Sequence, residues 1–71
     1  MAEASDANLI ETVVTTAKRT TTWLVHMGGK VVFTGEPFNG VDHKRALAIA
    51  KVFTDKQFRG VTFAHRETKQ T

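Results

Sequence analysis

The hydrophobic pattern of this 71-residue chain predicts several β-strands and one helix. Two runs rich in β-branched and aromatic residues cover residues 23–27 and 30–34, on either side of Gly28 and Gly29. A glycine pair between such runs predicts a β-hairpin, because tight hairpin turns need the positive φ that glycine adopts without strain.

The hairpin also predicts a register. With a two-residue turn, Leu24 would pair with Phe33, and Val25 with Val32. Side chains alternate between the two faces of a sheet, so both faces of this hairpin become apolar. One face would carry Leu24, His26, Val31 and Phe33, and the other Trp23, Val25, Met27 and Val32.

Residues 9–17 fit two patterns. Apolar residues at positions i, i+1, i+4, i+5 and i+8 would form an amphipathic helix capped by Ser5 or Asp6. The β-branched run over residues 12–16 is instead typical of a strand, since branched side chains fit a pleated surface. We favour the strand.

A helix is predicted from about residue 43 to residue 57, with Asp42 as its N-cap. At 100° per residue, one face of this helix is apolar and the opposite face is charged. The apolar face would carry Ala46, Ile49, Ala50 and Phe53, with Leu47 at its edge.

These elements predict a single small α+β domain over residues 9–66, preceded by a flexible acidic leader (1–8) and followed by a polar tail (67–71). Residues 36–40 read as a turn, and residues 61–65 alternate as a last strand. The order is (β)-β-β-α-β. We expect a three- or four-stranded, largely antiparallel sheet with one main helix packed on one face.

One helix cannot cover both apolar faces of the hairpin. Trp23, Val25 and Met27 therefore become candidates for an interface with a second copy of the chain or with a foreign partner. The alternative is that Trp23 packs into the core, where tryptophan is usually found.

Composition excludes several classes of protein. The chain has no cysteine, which excludes disulfides, thiolate catalysis and cysteine-bound metal clusters. It contains no apolar stretch of the length that spans a membrane, and its first residues lack the features of a signal peptide. We expect an unprocessed, soluble, cytoplasmic protein without a membrane partner.

Charge is uneven along the chain. Residues 1–11 carry a net charge of −3 and the rest a net charge of +6, which sum to the total of +3. A basic body suits an anionic partner, either nucleic acid or an acidic protein surface, although solubility alone explains a charge of this size. The candidate binding cations are Lys18, Arg19, Lys30, Lys44, Arg45, Lys51, Lys56, Arg59 and Arg66.

Catalytic and metal-binding residues are scarce. The three histidines, His26, His43 and His65, lie 17 and 22 residues apart, which matches no local ligand motif. Ser5 is the one serine, and it falls in the leader. His26 beside Lys30 could supply the acid and base of a ribonuclease toxin, a minor alternative. We expect no catalytic residue, no metal and no cofactor.

The element order resembles that of small bacteriophage proteins that take over host machinery, such as the RNA polymerase inhibitor of coliphage T7 and small type I anti-CRISPR proteins. The helix segment 45–50 and the strand 61–63 carry this resemblance, which covers residues 20–66 as a pattern of elements. It implies a non-enzymatic inhibitor that docks on a host complex, and it transfers no functional residue.

The function expected from the sequence is therefore protein binding. The chain would be an inhibitor or regulator, of phage origin if the resemblance holds, that docks on a host protein complex through a basic surface and an apolar patch. The alternative is a small basic DNA- or RNA-binding module.

Overall fold

A computed structural model describes residues 7–71 of the chain. The expected acidic leader falls mostly on residues 1–6, outside the described part. The described elements follow one another as β1 (Leu9–Thr15), β2 (Thr20–Met27), β3 (Lys30–Thr34), β4 (Phe38–Asn39), α1 (His43–Gln57) and β5 (Ala64–Gln70). The predicted α+β class is confirmed, with one helix on a mostly antiparallel sheet.

The strands form one sheet in the order β3-β2-β1-β5, and the short β4 pairs with β2 beside β3. β1 is antiparallel to β2 and parallel to β5. Residues 9–15 are thus a strand, as the β-branched run indicated, and this strand lies inside the sheet rather than at its edge.

The β2–β3 hairpin turns at Gly28 and Gly29, whose φ angles are 62° and 82°. Its predicted register is wrong beyond the first two pairs: Val25 pairs with Phe33, and a β-bulge leaves Val32 as the extra residue. The slip has a packing reason, since it moves the Phe33 ring to the helix side, where it stacks on Phe53.

The same slip pairs Leu24 with Thr34 instead of Phe33. The face that carries Leu24 is therefore less apolar than the sequence suggested, because a threonine replaces a phenylalanine there.

Helix α1 begins after Asp42, whose Oδ1 accepts a 3.0 Å hydrogen bond from the Arg45 N–H. The side that faces the sheet is built from small residues, Ala46, Ala50 and Thr54, which let the helix approach closely. Ile49 was expected in the core and is instead 41% exposed, because the buried stripe is rotated toward Thr54.

The last strand lies further along the chain than its apolar pattern predicted. β5 covers residues 64–70, so residues 61–63 precede it and most of the expected polar tail belongs to it. It is positioned by backbone pairing with β1, including the Thr16 N–H that donates to the Gln70 carbonyl at 2.8 Å. A strand made of polar residues has no alternating hydrophobic pattern in the sequence from which it could be predicted.

The core lies between α1 and the two central strands, β1 and β2. Its buried apolar members are Ile10, Trp23, Val25, Ala46 and Ala50. The opposite face of the sheet is covered by no described element, and a polar network lies near its centre.

Candidate functional site

A groove opens between α1 and the β3 edge of the sheet. It has a volume of about 460 Å³, within the range of pockets that bind ligands. Its lining is apolar apart from one carboxylate and comprises Trp23, Phe33, Glu36, Pro37, Phe38, Ile49, Val52 and Phe53.

Three aromatic rings that pack on one another line this groove. Trp23 lies 5.3 Å from Phe33 and 5.4 Å from Phe53, measured between ring centroids, and Phe33 stacks on Phe53 at 4.2 Å. The backbone of Gly35 packs so closely on the Trp23 indole that an added Cβ would overlap the ring. Mutual packing of this kind restricts the movement of the three rings.

The rim of the groove exposes large apolar side chains. Phe33 is 39% exposed, Ile49 41% and Val52 61%, and the three lie around one opening. A contiguous apolar surface beside a concave pocket is a typical mark of an interaction site, whereas isolated exposed apolar residues are common and carry no such meaning.

Two cations of α1 lie one helical turn from residues that line the groove, while the charged residue of the lining itself is Glu36. Arg45 precedes Ile49 by one helical turn, and its guanidinium lies 4.7 Å from the Phe38 ring centroid. Lys56 follows Val52 by one turn on the same flank of the helix. The groove thus has an apolar lining with one carboxylate, and the adjacent flank of α1 carries two cations.

All the cations proposed from the sequence are exposed, and they are carried by several elements of the fold. Two lie in the β1–β2 turn, one begins β3, four lie on α1, one follows α1 and one lies on β5. These cations are Lys18 and Arg19, Lys30, Lys44, Arg45, Lys51 and Lys56, Arg59, and Arg66.

The apolar interface candidates lie on the helix side of the sheet. Trp23 is 5% exposed and Val25 is fully buried, so both belong to the core, and Met27 packs partly buried against them. The exposed apolar side chains next to these residues are instead Phe33, Ile49 and Val52.

A second cluster lies on the face of the sheet opposite α1, around Glu11 of β1. Its carboxylate accepts hydrogen bonds from His26 Nε2 at 2.8 Å and from Thr68 Oγ1 at 2.5 Å, and Arg66 lies 3.5 Å away. Burial raises the pKa of the Glu11 carboxyl, but these hydrogen bonds and positive charges outweigh it, so the pKa lies below its ordinary value of 4.5.

The other two histidines meet at Thr12 on the helix side. The Thr12 hydroxyl lies 2.8 Å from His43 Nδ1 and 3.0 Å from His65 Nε2, which joins the start of α1 to β5 through β1. Within residues 7–71, no group of three or more histidine, aspartate or glutamate side chains could hold a metal ion.

Sequence reasoning missed the groove for identifiable reasons. The bulge in β3 places Phe33 on the face opposite to the one that the predicted register gives, and Ile49 lies at the surface rather than in the predicted core. Val52 is the residue from which the groove could have been predicted, since it is an apolar residue on the flank of the helix that carries Arg45 and Lys56.

Comparisons of the chain with protein-family models, with curated proteins and with solved structures find no match. In the described part of the chain, no helix is both long and apolar enough to cross a membrane.

Proposed function

We propose that this protein is a non-enzymatic binding protein that holds an apolar, acidic segment of another protein in the groove between α1 and β3. The observation that carries the proposal is the exposed aromatic and aliphatic lining of a groove of about 460 Å³. Interfaces derive most of their affinity from aromatic and aliphatic anchors in such pockets.

Charge supports the choice of partner. Arg45 and Lys56 lie on the flank of α1 next to Ile49 and Val52, and these two cations outnumber Glu36, the one charged residue of the lining. Acidic residues flanking the apolar anchors of a partner would be attracted during encounter and would favour the correct orientation. Occupation of the groove would make the protein a stoichiometric inhibitor or regulator of that partner, as the resemblance to phage takeover proteins implies.

The proposal is tested with a random peptide library selected on the wild-type protein and counter-selected on Val52→Lys, which places a charge in the groove. Selected peptides should combine apolar and acidic residues and should change the fluorescence of Trp23, the one tryptophan in the sequence. Val52→Lys should weaken their binding at least about tenfold.

Val41→Lys is the matched control, because Val41 is 58% exposed and lies outside the groove. It should leave peptide affinity unchanged, whereas Arg45→Glu should lower it. Peptides that bind Val52→Lys as well as wild type would contradict the proposal. So would salt-sensitive binding of DNA or RNA that the groove variants leave intact, since that result favours the nucleic-acid alternative.

A further inference from the structure

β5 is an edge strand with a regular outer side. Among residues 7–71 no strand pairs with that side, and α1 packs on β1 and β2 rather than over β5. The opposite edge of the sheet consists of β3, which contains a bulge, and of the two-residue strand β4. β5 has seven residues, no register shift and no proline; of the features that keep edge strands from pairing it carries charged side chains, so a partner strand must bring opposite charges to them.

The backbone groups at the free side of β5 follow from its pairing with β1. The Ala64 N–H donates to the Asn8 carbonyl at 3.0 Å, and the Gln70 carbonyl accepts from the Thr16 N–H at 2.8 Å. Successive residues of a strand direct their backbone N–H and C=O groups to opposite edges of that strand. In β5 the backbone groups of the even-numbered residues therefore point to β1, and those of the odd-numbered residues point outward. The outward-facing N–H and C=O groups belong to His65, Glu67 and Lys69.

We propose that β5 pairs antiparallel with β5 of a second copy of this chain, about a two-fold axis that passes beside Thr68. The pairing joins the two sheets into one, and both copies use the same surface, as in most homodimers. The outward-facing backbone groups of Glu67 bond those of Lys69 in the other copy, while the two Thr68 residues form a non-hydrogen-bonded pair.

Side-chain charge selects this register. An axis at Thr68 places Glu67 of each copy directly opposite Lys69 of the other copy. The two resulting pairs lie on the sheet face that carries α1. On the opposite face this axis sets Arg66 across from Gln70. Opposite charges in direct cross-strand pairs stabilise a sheet, and in the single chain neither Glu67 nor Lys69 forms an ion pair with a described residue.

The neighbouring registers are unfavourable. An axis at Arg66, at Glu67 or at Lys69 would place the residue on the axis directly opposite the same residue of the second copy. Like charges directly opposite one another destabilise the pairing. The register at Thr68 is the one of these four in which no like charges meet.

The charge pairs are tested by sedimentation equilibrium. Wild type should form dimers with a dissociation constant below about 1 mM. Glu67→Lys and Lys69→Glu should each weaken dimerisation about tenfold or more, because both pairs become repulsive, and the double variant should restore it. Asp55→Lys on α1 is the control for net charge and should have no such effect.

The register is tested by cross-linking, since the chain has no cysteine of its own. Two Thr68→Cys residues in a non-hydrogen-bonded pair would lie about 4.5 Å apart between Cα atoms, within the range of a disulfide. Thr62→Cys, which lies outside β5, should not cross-link. Amide hydrogen exchange supplies a readout without mutation: the Glu67 and Lys69 amides should become protected as protein concentration rises.

A chain that stays monomeric to about 1 mM would overturn the proposal. So would a dimer that Glu67→Lys leaves intact, or one that the double variant fails to restore.

Discussion

At the scale of single residues, close packing around Trp23 decides the shape of the groove. The Gly35 N–H donates to the Trp23 carbonyl at 2.7 Å, and its Cα lies against the Trp23 indole, where a side chain has no room. Gly35 is needed here for close approach rather than for an unusual backbone angle, in contrast to the two turn glycines of the β2–β3 hairpin.

We expect Gly35→Ala to lower the free energy of unfolding by about 2–3 kcal/mol, because the methyl group must displace the indole ring. Chemical denaturation followed by circular dichroism measures this. Gly28→Ala is the control: its Cβ would meet no atom within 4 Å, and its φ of 62° carries a conformational cost of about 1 kcal/mol. An equal or smaller loss for Gly35→Ala would show that the indole can move freely.

At the scale of elements, polar side chains connect strands and helix across the sheet. Glu11 joins β1 to His26 of β2 and to Thr68 of β5, and Thr12 joins β1 to the start of α1. The pKa of Glu11 is lower in the folded protein than in the unfolded chain, so the unfolded chain binds more protons between the two values. The stabilisation from Glu11 is therefore complete above about pH 4.5 and lost as pH falls through the folded-state pKa.

Glu11→Gln should accordingly lower the free energy of unfolding by about 1–2 kcal/mol near neutral pH, since the amide replaces one charged acceptor by a donor. The difference from wild type should shrink as pH falls below 4.5. Denaturant titrations at several pH values measure this, with the exposed Glu36→Gln as control. A difference that is constant with pH would mean that ionisation of Glu11 contributes nothing to folding.

At the scale of the whole molecule, the two proposed binding surfaces lie at opposite edges of the sheet. The groove lies beside β3, and the proposed dimer forms at β5, with β2 and β1 between them. Three strand spacings separate the edge strands by about 14 Å. Sites at such a distance without shared contacts behave almost independently.

We therefore expect Val52→Lys to leave the dimer dissociation constant within about twofold of wild type, and Glu67→Lys to leave peptide affinity within about twofold. Sedimentation equilibrium and Trp23 fluorescence titrations measure the two constants. If either variant changed both constants, the two edges would be coupled through the sheet.

Much of the fold could be predicted from residues that are neighbours in the sequence. The turn at Gly28 and Gly29, the Asp42 cap and the helix over residues 43–57 depend on neighbouring residues, and the structure confirms all three. The prediction of a strand rather than a helix for residues 9–15 is confirmed as well. The preference of β-branched residues for strands can be read from the local sequence. For the candidate site the sequence supplied Arg45 and Lys56 but none of the apolar lining apart from Trp23.

The sequence by itself thus determined the class of the fold, its main helix and its hairpin turn, since these follow from backbone preferences and hydrophobic period. Tertiary structure alone decided the bulge at Val32, the exposure of Ile49 and the polar strand β5. Each of these depends on contacts between residues far apart in the chain: aromatic stacking on α1, close helix–sheet approach at alanines, and backbone pairing with β1. Such contacts leave no periodic signal, and the groove and the free strand edge both result from them.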